Sequence, residues 1–257
     1  MSEAHIVTML EDKVLTVRFN RADKKNALTG AMYSALAEAF TGANSNPDVR
    51  VVLILGQPDC FTAGNDLADF LAVPPKGPDS PVMRFMRSLA NLEKPVVAGA
   101  SGIAVGVGVT LLLHCDLVYC GEQTKLNMPF VSLGICPEFA SSYLLPRLLG
   151  QARAAELLLL GEGFSAQKAL DYGLVNELLP NAAVEATALA KARQIAAMPP
   201  RASRIAKMLL KKWSRSSVNE AIEFEAEHFM AMLHDPEARE ALTAFTQKRK
   251  PDFSGFN

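Results

Sequence analysis

The 257-residue chain has almost no charge of one sign to spare: 26 Lys and Arg face 27 Asp and Glu, a formal net charge of −1. That removes the electrostatic case for nucleic acid or an anionic membrane as a partner, since both call for an excess of clustered positive charge, while leaving room for a local basic pocket. Long apolar runs are also missing. The longest stretches, such as Gly102–Leu113, fall short of the ~20 residues that a membrane span requires. Cysteine is sparse, and Cys60, Cys115, Cys120 and Cys136 lack metal-ligand spacing. A chain of this length needs no disulfide staples, so reduced core thiols are expected. There is no internal repeat and no low-complexity tract. The opening MSEAHIVTML carries ionisable residues before any apolar run, which reads as mature cytoplasmic protein rather than a signal peptide.

What is present suits an enzyme-sized α/β domain with a helical appendage. Hydrophobic residues make up 49% and charged residues 21%, ordinary values for a chain with a substantial core. Val14–Phe19, Val49–Leu55, Val96–Ala100 and Leu117–Cys120 read as strands, rich in β-branched residues and bounded by turns. Thr29–Ala43 has helical periodicity with Thr29 as N-cap, which makes a β–β–α style of unit. PPKGPDSP within Val73–Pro81 reads as a mobile loop and pocket lid before a helix at Val82–Leu92. Gly106–His114 reads as one buried helix. Further helices are expected at Ala140–Leu149, Ala152–Leu160, Ala166–Tyr172 and Asn181–Met198. Tandem Pro199-Pro200 divides the chain into a core, 1–198, and a helical region, 199–257. That region contains Arg201–Trp213, Val218–Leu233 and Pro236–Lys248, whose amphipathic faces are expected to pack on another subunit.

Two glycine-bearing segments, FTAGNDL at Phe61–Leu67 and SGIAVGVGV at Ser101–Val109, each follow an apolar run and lead into a helical pattern. Such turns leave backbone N–H groups unpaired, and two of them converging on one carbonyl oxygen make an oxyanion hole. Glu138 is the carboxylate placed to move a proton at that site. Taken alone, a glutamate at a Pro-Glu step before a helix equally favours the helix dipole or caps the first turn. Cys136 lies two residues away with no histidine beside it in sequence. His114 and Asp116 flank Cys115, and a satisfied core histidine is the expected role, because residues two apart do not share a helical face. His228 and His234 are spaced unsuitably for a compact metal site. Ser141, Ser142 and Tyr143 lack an adjacent base and are expected at the helix start or pocket wall.

The ordered segments RADKKNAL, FTAGNDLADF, KPVVAGASGIAVGVGVTLLLHCDLVYC and PFVSLGICPEFASSYLLPRLLG resemble the crotonase superfamily, the enoyl-CoA hydratase/isomerase family, from about Val14 to Phe253. The resemblance implies a ββα spiral with a C-terminal helical trimerisation region, a homotrimer or hexamer, an acyl-CoA thioester substrate, and no metal or redox cofactor. It places the oxyanion-hole N–H groups at Asn65 and Val107, the latter standing where glycine is usual. It places CoA or substrate contacts at Lys24, Lys25, Ala27, Ala63, Gly64, Asp66, Leu67 and Phe130. Phe229, Phe245 and Lys248 are further expected core, subunit or CoA contacts.

Hydratases of the family use two glutamates, which here correspond to Thr110 and Phe130. Neither is a base, so hydration is disfavoured. PEFASSY, AGNDL and LADF instead resemble the peroxisomal-type Δ3,Δ2-enoyl-CoA isomerases, which carry a single glutamate at the position of Glu138. Phe130, Leu133, Ile135 and Phe139 are expected to supply its apolar surroundings. Thioester hydrolysis, decarboxylation and a non-catalytic acyl-CoA-binding subunit are the competing readings. Gly255-Phe256-Asn257 does not resemble a peroxisomal address.

Overall fold

The computed structural model describes residues 4–75, 77–247 and 249–256, with Leu71 and Phe245 described by backbone alone. The expected roles of Lys248 and of the Phe245 side chain therefore lie outside the described residues. Strand β1 (Ile6–Glu11) turns into β2 (Val14–Phe19) through Asp12 and Lys13, both at positive φ (49° and 64°), the backbone that a two-residue hairpin needs. Helix α1 (Gly30–Ser45) leads to β3 (Val51–Leu55), and α2 (Leu67–Ala72) and α3 (Pro81–Ala90) lead to β4 (Val96–Ala100). Short β5 (Ile103–Val105), α4 (Val107–Thr110), β6 (Leu117–Gly121) and β7 (Lys125–Asn127) follow. The chain continues through α5 (Ser141–Leu149), α6 (Gln151–Leu160), β8 (Phe164–Ser165), α7 (Ala166–Asp171), β9 (Glu177–Leu179) and α8 (Asn181–Ala196). It closes with α9 (Pro200–Lys211), α10 (Arg215–Met232) and α11 (Pro236–Thr246). No helix among the described residues is long and apolar enough to cross a membrane.

The main sheet has the order β1-β2-β3-β4-β6-β9 and is parallel except at the β1–β2 hairpin. β3, VVLIL, is buried at every position because both faces are covered. Val52 and Ile54 join the core formed with α1 and α3, including Leu36, Phe40, Phe85 and Leu89. Val51, Leu53 and Leu55 point the other way, onto Ala188, Ala192 and Ala196 of α8. A second, small sheet, β5-β7-β8, carries the chain away from the end of β4.

The final helices are tied to the core by charge as well as by packing. Lys207 of α9 reaches Asp116 at 2.8 Å and donates to the Lys94 carbonyl at 2.7 Å, while Lys211 donates to the His114 carbonyl at 2.8 Å. Asp116 also accepts from the Val96 N–H at 2.7 Å, so one carboxylate joins the start of β4 to α9. Burial pushes the Lys207 amine down to about 8. On α10, Glu223 takes a bidentate pair of hydrogen bonds from Arg87 of α3 at 2.6 and 2.7 Å.

β1 was not expected, because its residues are almost all exposed and show no buried alternation. β5, β7, β8 and β9 span only two or three residues, too few for periodicity to register. The expected Gly106–His114 helix is a single α-turn, α4, followed by a 3₁₀ turn at Leu111–His114; its Gly108 and β-branched Val107, Val109 and Thr110 are poor helix formers. α2 was not separated from the AGND turn that precedes it, and α5 begins at Ser141 because Ala140 is left-handed.

Gly102, between β4 and β5, lies hard against the turn at Asp59 and Cys60. Its φ is +77°, and a Cβ there would lie 1.7 Å from the Asp59 carbonyl oxygen. Replacing Gly102 with Ala should destabilise the protein by at least ~2 kcal/mol, combining left-handed strain with backbone overlap; urea denaturation measures this, and an unchanged midpoint would contradict the packing described.

Candidate active site

The first glycine turn is held by Asn26, a residue the sequence did not single out. Asn26 is fully buried with φ +53°, a conformation asparagine tolerates better than most residues. Its Nδ2 donates to the Cys60 and Phe61 carbonyls at 3.0 and 3.1 Å, and its Oδ1 accepts from the Arg21 N–H at 2.8 Å. The Thr62 hydroxyl donates to the Asn26 carbonyl at 2.7 Å and accepts from the Gly64 N–H at 3.1 Å. Asp66 then caps α2, its Oδ1 accepting from the Ala68 and Asp69 N–H groups, while its Oδ2 receives Arg21 at 2.6 Å. The Arg21 hydrogen bond holds the Asp66 carboxyl below the ordinary range, so Asp66 orders the turn.

The second glycine turn lies directly on the first. Thr62 and Ala104 form a parallel bridge, and the Val105 N–H donates to the Thr62 carbonyl at 3.0 Å. A Cβ on Gly64 would lie 2.8 Å from the Val105 carbonyl oxygen, and one on Gly108 would lie 2.6 Å from Thr62 Cγ2. Glycine is needed at both positions for the backbones to meet. Val107 sits at the first position of α4, where an ordinary residue fits. Among the described residues, no acceptor is recorded for the N–H of Asn65 or Val107. Both residues line the same cleft.

That cleft has a volume of about 630 Å³. Lys24, Ala27, Ala63, Gly64, Asn65, Asp66, Leu67, Val107 and Phe130 all line it, which brings together nearly every expected binding position. Lys25 is the exception. It is left-handed (φ 50°), and its carbonyl accepts from the Ala63 N–H at 2.9 Å, so it supports the turn through the main chain rather than lining the cleft. Arg249 and Pro251 near the end of the chain, together with Leu242 of α11, complete the cleft's far wall.

A second, inner cavity of about 30 Å³ shares Asn65, Phe70 and Phe229 with the cleft. Glu138 lines it, with Met83 and Met86 of α3 and Ile222, Ala226 and Met230 of α10. The apolar surroundings of Glu138 thus differ from those expected. Phe139 contributes, but Phe130, Leu133 and Ile135 line the outer cleft, and most of the remainder comes from α3 and α10, with Phe70 of α2. Pro75 of the proline-rich loop reaches the inner cavity, the position a lid would occupy.

Glu138 is 5% exposed. The Thr110 hydroxyl donates to its Oε1, so the residue that cannot act as a base instead stabilises the charge of the one that can. Burial dominates, pushing the Glu138 carboxyl up to about 8 against the Thr110 hydrogen bond, and the charge of Glu225 raises it further. Tyr33, whose hydroxyl donates to Asn65 Oδ1, has its own pKa raised by burial and by the charge of Glu138. Phe139 and Ala140 follow at φ +60° and +58°, two consecutive left-handed residues without glycine. Each costs roughly 1–2 kcal/mol in isolation. His114 steadies the first: its ring stacks on Phe139 at 3.9 Å, and burial pushes it down to about 3, so neutral Nε2–H donates to the Phe139 carbonyl at 2.8 Å. It is the satisfied core histidine expected.

Glu225 steadies the second and was missed. Its signal was present: in α10 the buried positions are Val218, Ile222, Glu225 and Phe229, a stripe at helical spacing with one carboxylate in it. Ser142, expected near the helix start, is one of the donors to that carboxylate. Cys136 contacts the Glu225 carbonyl through Sγ at 3.5 Å, and burial pushes its thiol up to about 11, which keeps it protonated rather than nucleophilic.

Comparison with known proteins returns a family of acyl-CoA enzymes. The enoyl-CoA hydratase/isomerase family model matches residues 10–256, and the chain belongs to that family. The solved structure of Pseudomonas aeruginosa OdaA is 49% identical with a TM-score of 0.92, over 95% of this chain and 99% of that one. Escherichia coli 1,2-epoxyphenylacetyl-CoA isomerase is 32% identical over 97% of this chain and 98% of its own. Human enoyl-CoA delta isomerase 2 is 33% identical over 83% of this chain, which spans 56% of the human protein. A 2,3-dehydroadipyl-CoA hydratase and a 4-chlorobenzoyl coenzyme A dehalogenase stand at 31%, so resemblance alone does not choose the reaction.

The raised pKa of Glu138 has a consequence for stability. A carboxyl held neutral in the fold adds stability that is present below its ordinary value of 4.5 and is lost as pH rises through about 8. Glu138→Gln removes the charge and keeps the shape. The variant should match the wild type in thermal melts near ~pH 5 and exceed it near ~pH 9, by up to a few kcal/mol; equal melting at both would contradict a buried, proton-holding Glu138.

Proposed function

We propose that this protein is a Δ3,Δ2-enoyl-CoA isomerase of fatty-acid β-oxidation, working with one glutamate. The observation that carries the proposal is Glu138: a buried carboxylate with no cation beside it among the described residues, lining an apolar cavity that shares Asn65, Phe70 and Phe229 with the cleft. Ionised Glu138 takes a proton from C2 of a 3-enoyl thioester. The electron pair of that C–H bond forms a C1–C2 double bond as the carbonyl pair moves onto the thioester oxygen, where the Asn65 and Val107 N–H groups receive the charge as an oxyanion hole; when C4 is protonated the carbonyl re-forms, the C1–C2 pair becomes the C2–C3 double bond and the former C3–C4 pair takes the proton. Protonated Glu138 then delivers the same proton to C4. No proton is gained or lost overall, so a single carboxyl suffices.

Hydration lacks its second acid. Thr110 is occupied with Glu138, Phe130 is apolar, and the other buried carboxylate, Glu225, lines neither cavity. The outer cleft takes the CoA portion along Ala63–Leu67, with Lys24 and Arg249 as the cations on its wall. A raised carboxyl pKa fits a base that must accept a proton from carbon and then return it.

Incubating the purified protein with a 3-enoyl-CoA should give the 2-enoyl isomer with no added water, and Glu138→Gln should lose roughly 10²–10⁴-fold in kcat with little change in KM. A 3-hydroxyacyl product would overturn the single-acid reading; full activity in the variant would leave an acyl-CoA-binding role or another base.

We also propose that α9 packs against further copies of the chain, as a homotrimer or a pair of trimers. Its exposed apolar residues support this: Leu210 is 81% and Trp213 just after it is 88% exposed, beside Met208 and Leu209. Light scattering should return a multiple of the 27.7 kDa chain, and replacing Leu210 and Trp213 with polar residues should yield monomers; a monomeric wild type would contradict it.

A further inference from the structure

Glu225 belongs to α10, far along the chain from the PEFASSY loop, yet its carboxylate is built into that loop. Oε2 accepts from the Ala140 N–H at 2.6 Å, and Oε1 accepts from the Ser142 N–H at 2.9 Å and from the Ser142 hydroxyl. It is 5% exposed, and among the described residues no salt-bridge partner is recorded for it. The charged groups on neighbouring elements are engaged elsewhere. Arg87 of α3 is held by Glu223, and Arg147 of α5 lies 3.5 Å above the Tyr143 ring. The titratable groups that feel its charge are the Cys136 thiol and Glu138.

Its three hydrogen bonds close around the most unusual backbone at the site. Phe139 and Ala140 are both left-handed, and such a pair persists only where surrounding contacts over-determine it. The kink lies between Glu138 and the first turn of α5. Releasing Ala140 would let the backbone relax toward right-handed helix and swing Glu138 away from Thr110 and from the cavity. A simple structural cap would not need to be a carboxylate, because serine or asparagine serves helix starts as well. Here the charge costs burial and faces another acid.

We propose that Glu225 is a positioning residue for Glu138: it fixes the Phe139–Ala140 kink that aims the Glu138 carboxyl into the inner cavity. This rests on Glu138 being the proton carrier of the site. Because Glu225 comes from α10 and the loop from the core, the C-terminal helices take part in building the active site.

The test titrates Glu138 directly, by NMR of protein labelled with carbon-13 at the glutamate carboxyl, the Glu138 signal being identified by its loss in Glu138→Gln. In Glu225→Gln the Glu138 midpoint should fall by roughly half a pH unit or more as the like charge disappears. The kcat for 3-enoyl-CoA should fall about tenfold or more, with KM within about twofold, since the cleft is untouched. Glu225→Asp, which keeps the charge, should restore the midpoint toward the wild-type value. A folded Glu225→Gln with unchanged midpoint and kcat would overturn the proposal. If Glu225→Gln fails to fold, Ser142→Ala decides: loss of a donor leaves Glu225 less ionised, so the Glu138 midpoint should move the same way by less, and no movement would overturn the proposal. A wild type that does not turn over 3-enoyl-CoA would remove the isomerase reading alone, because the NMR midpoints still report on Glu225.

Discussion

A carboxylate buried with no cation beside it among the described residues is the constraint around which this structure is arranged. Glu138 has a single hydroxyl, that of Thr110, to support its charge, and its other surroundings are methionine, phenylalanine and isoleucine from α3 and α10. Solvent would relieve the cost of ionising it, and the fold excludes solvent. The result is a group whose proton affinity is raised to the range where, on the proposed mechanism, it can both take and return a proton. The stability lost at high pH is the counterpart of that reactivity, a local conflict of the kind expected at functional sites.

The neighbouring features serve the same end. The two glycine turns meet backbone to backbone, which only residues without Cβ allow at Gly64 and Gly108, and this contact sets Asn65 and Val107 on one cleft wall with N–H groups that find no acceptor among the described residues. The left-handed pair after Glu138 is held from two directions, by His114 beneath and by Glu225 from α10. Lys207 and Lys211 reach from α9 to Asp116 and the His114 carbonyl, so the C-terminal helices brace the core immediately behind the site. Removing α9 and α10 would thus expose the inner cavity and release the loop that carries Glu138.

Much of this was legible in the residues. Strands β2, β3, β4 and β6 announced themselves as β-branched runs, and Thr29 caps α1 as expected, its hydroxyl accepting from the Met32 N–H at 3.3 Å. The glycine turns and Glu138 stood out because glycine spacing and an isolated carboxylate are local signals. What escaped was set by contacts between distant segments. β5, β7, β8 and β9 exist because they pair, not because two or three residues have a pattern. Asn26 and Glu225 act through partners that the sequence does not place beside them. The left-handed backbone of Lys25, whose carbonyl accepts from the Ala63 N–H, is a main-chain role that its charge did not announce.

On the proposed mechanism one carboxyl carries the proton from C2 to C4. The most direct measurement supplies a 3-enoyl-CoA bearing deuterium at C2, in ordinary water, and asks by NMR where the label resides in the 2-enoyl product after a single turnover. A buried Glu138 that exchanges slowly with solvent predicts a substantial share of the label at C4. Complete loss of the transferred label to water, with none at C4, would contradict a single shielded carboxyl and require a second, solvent-connected group.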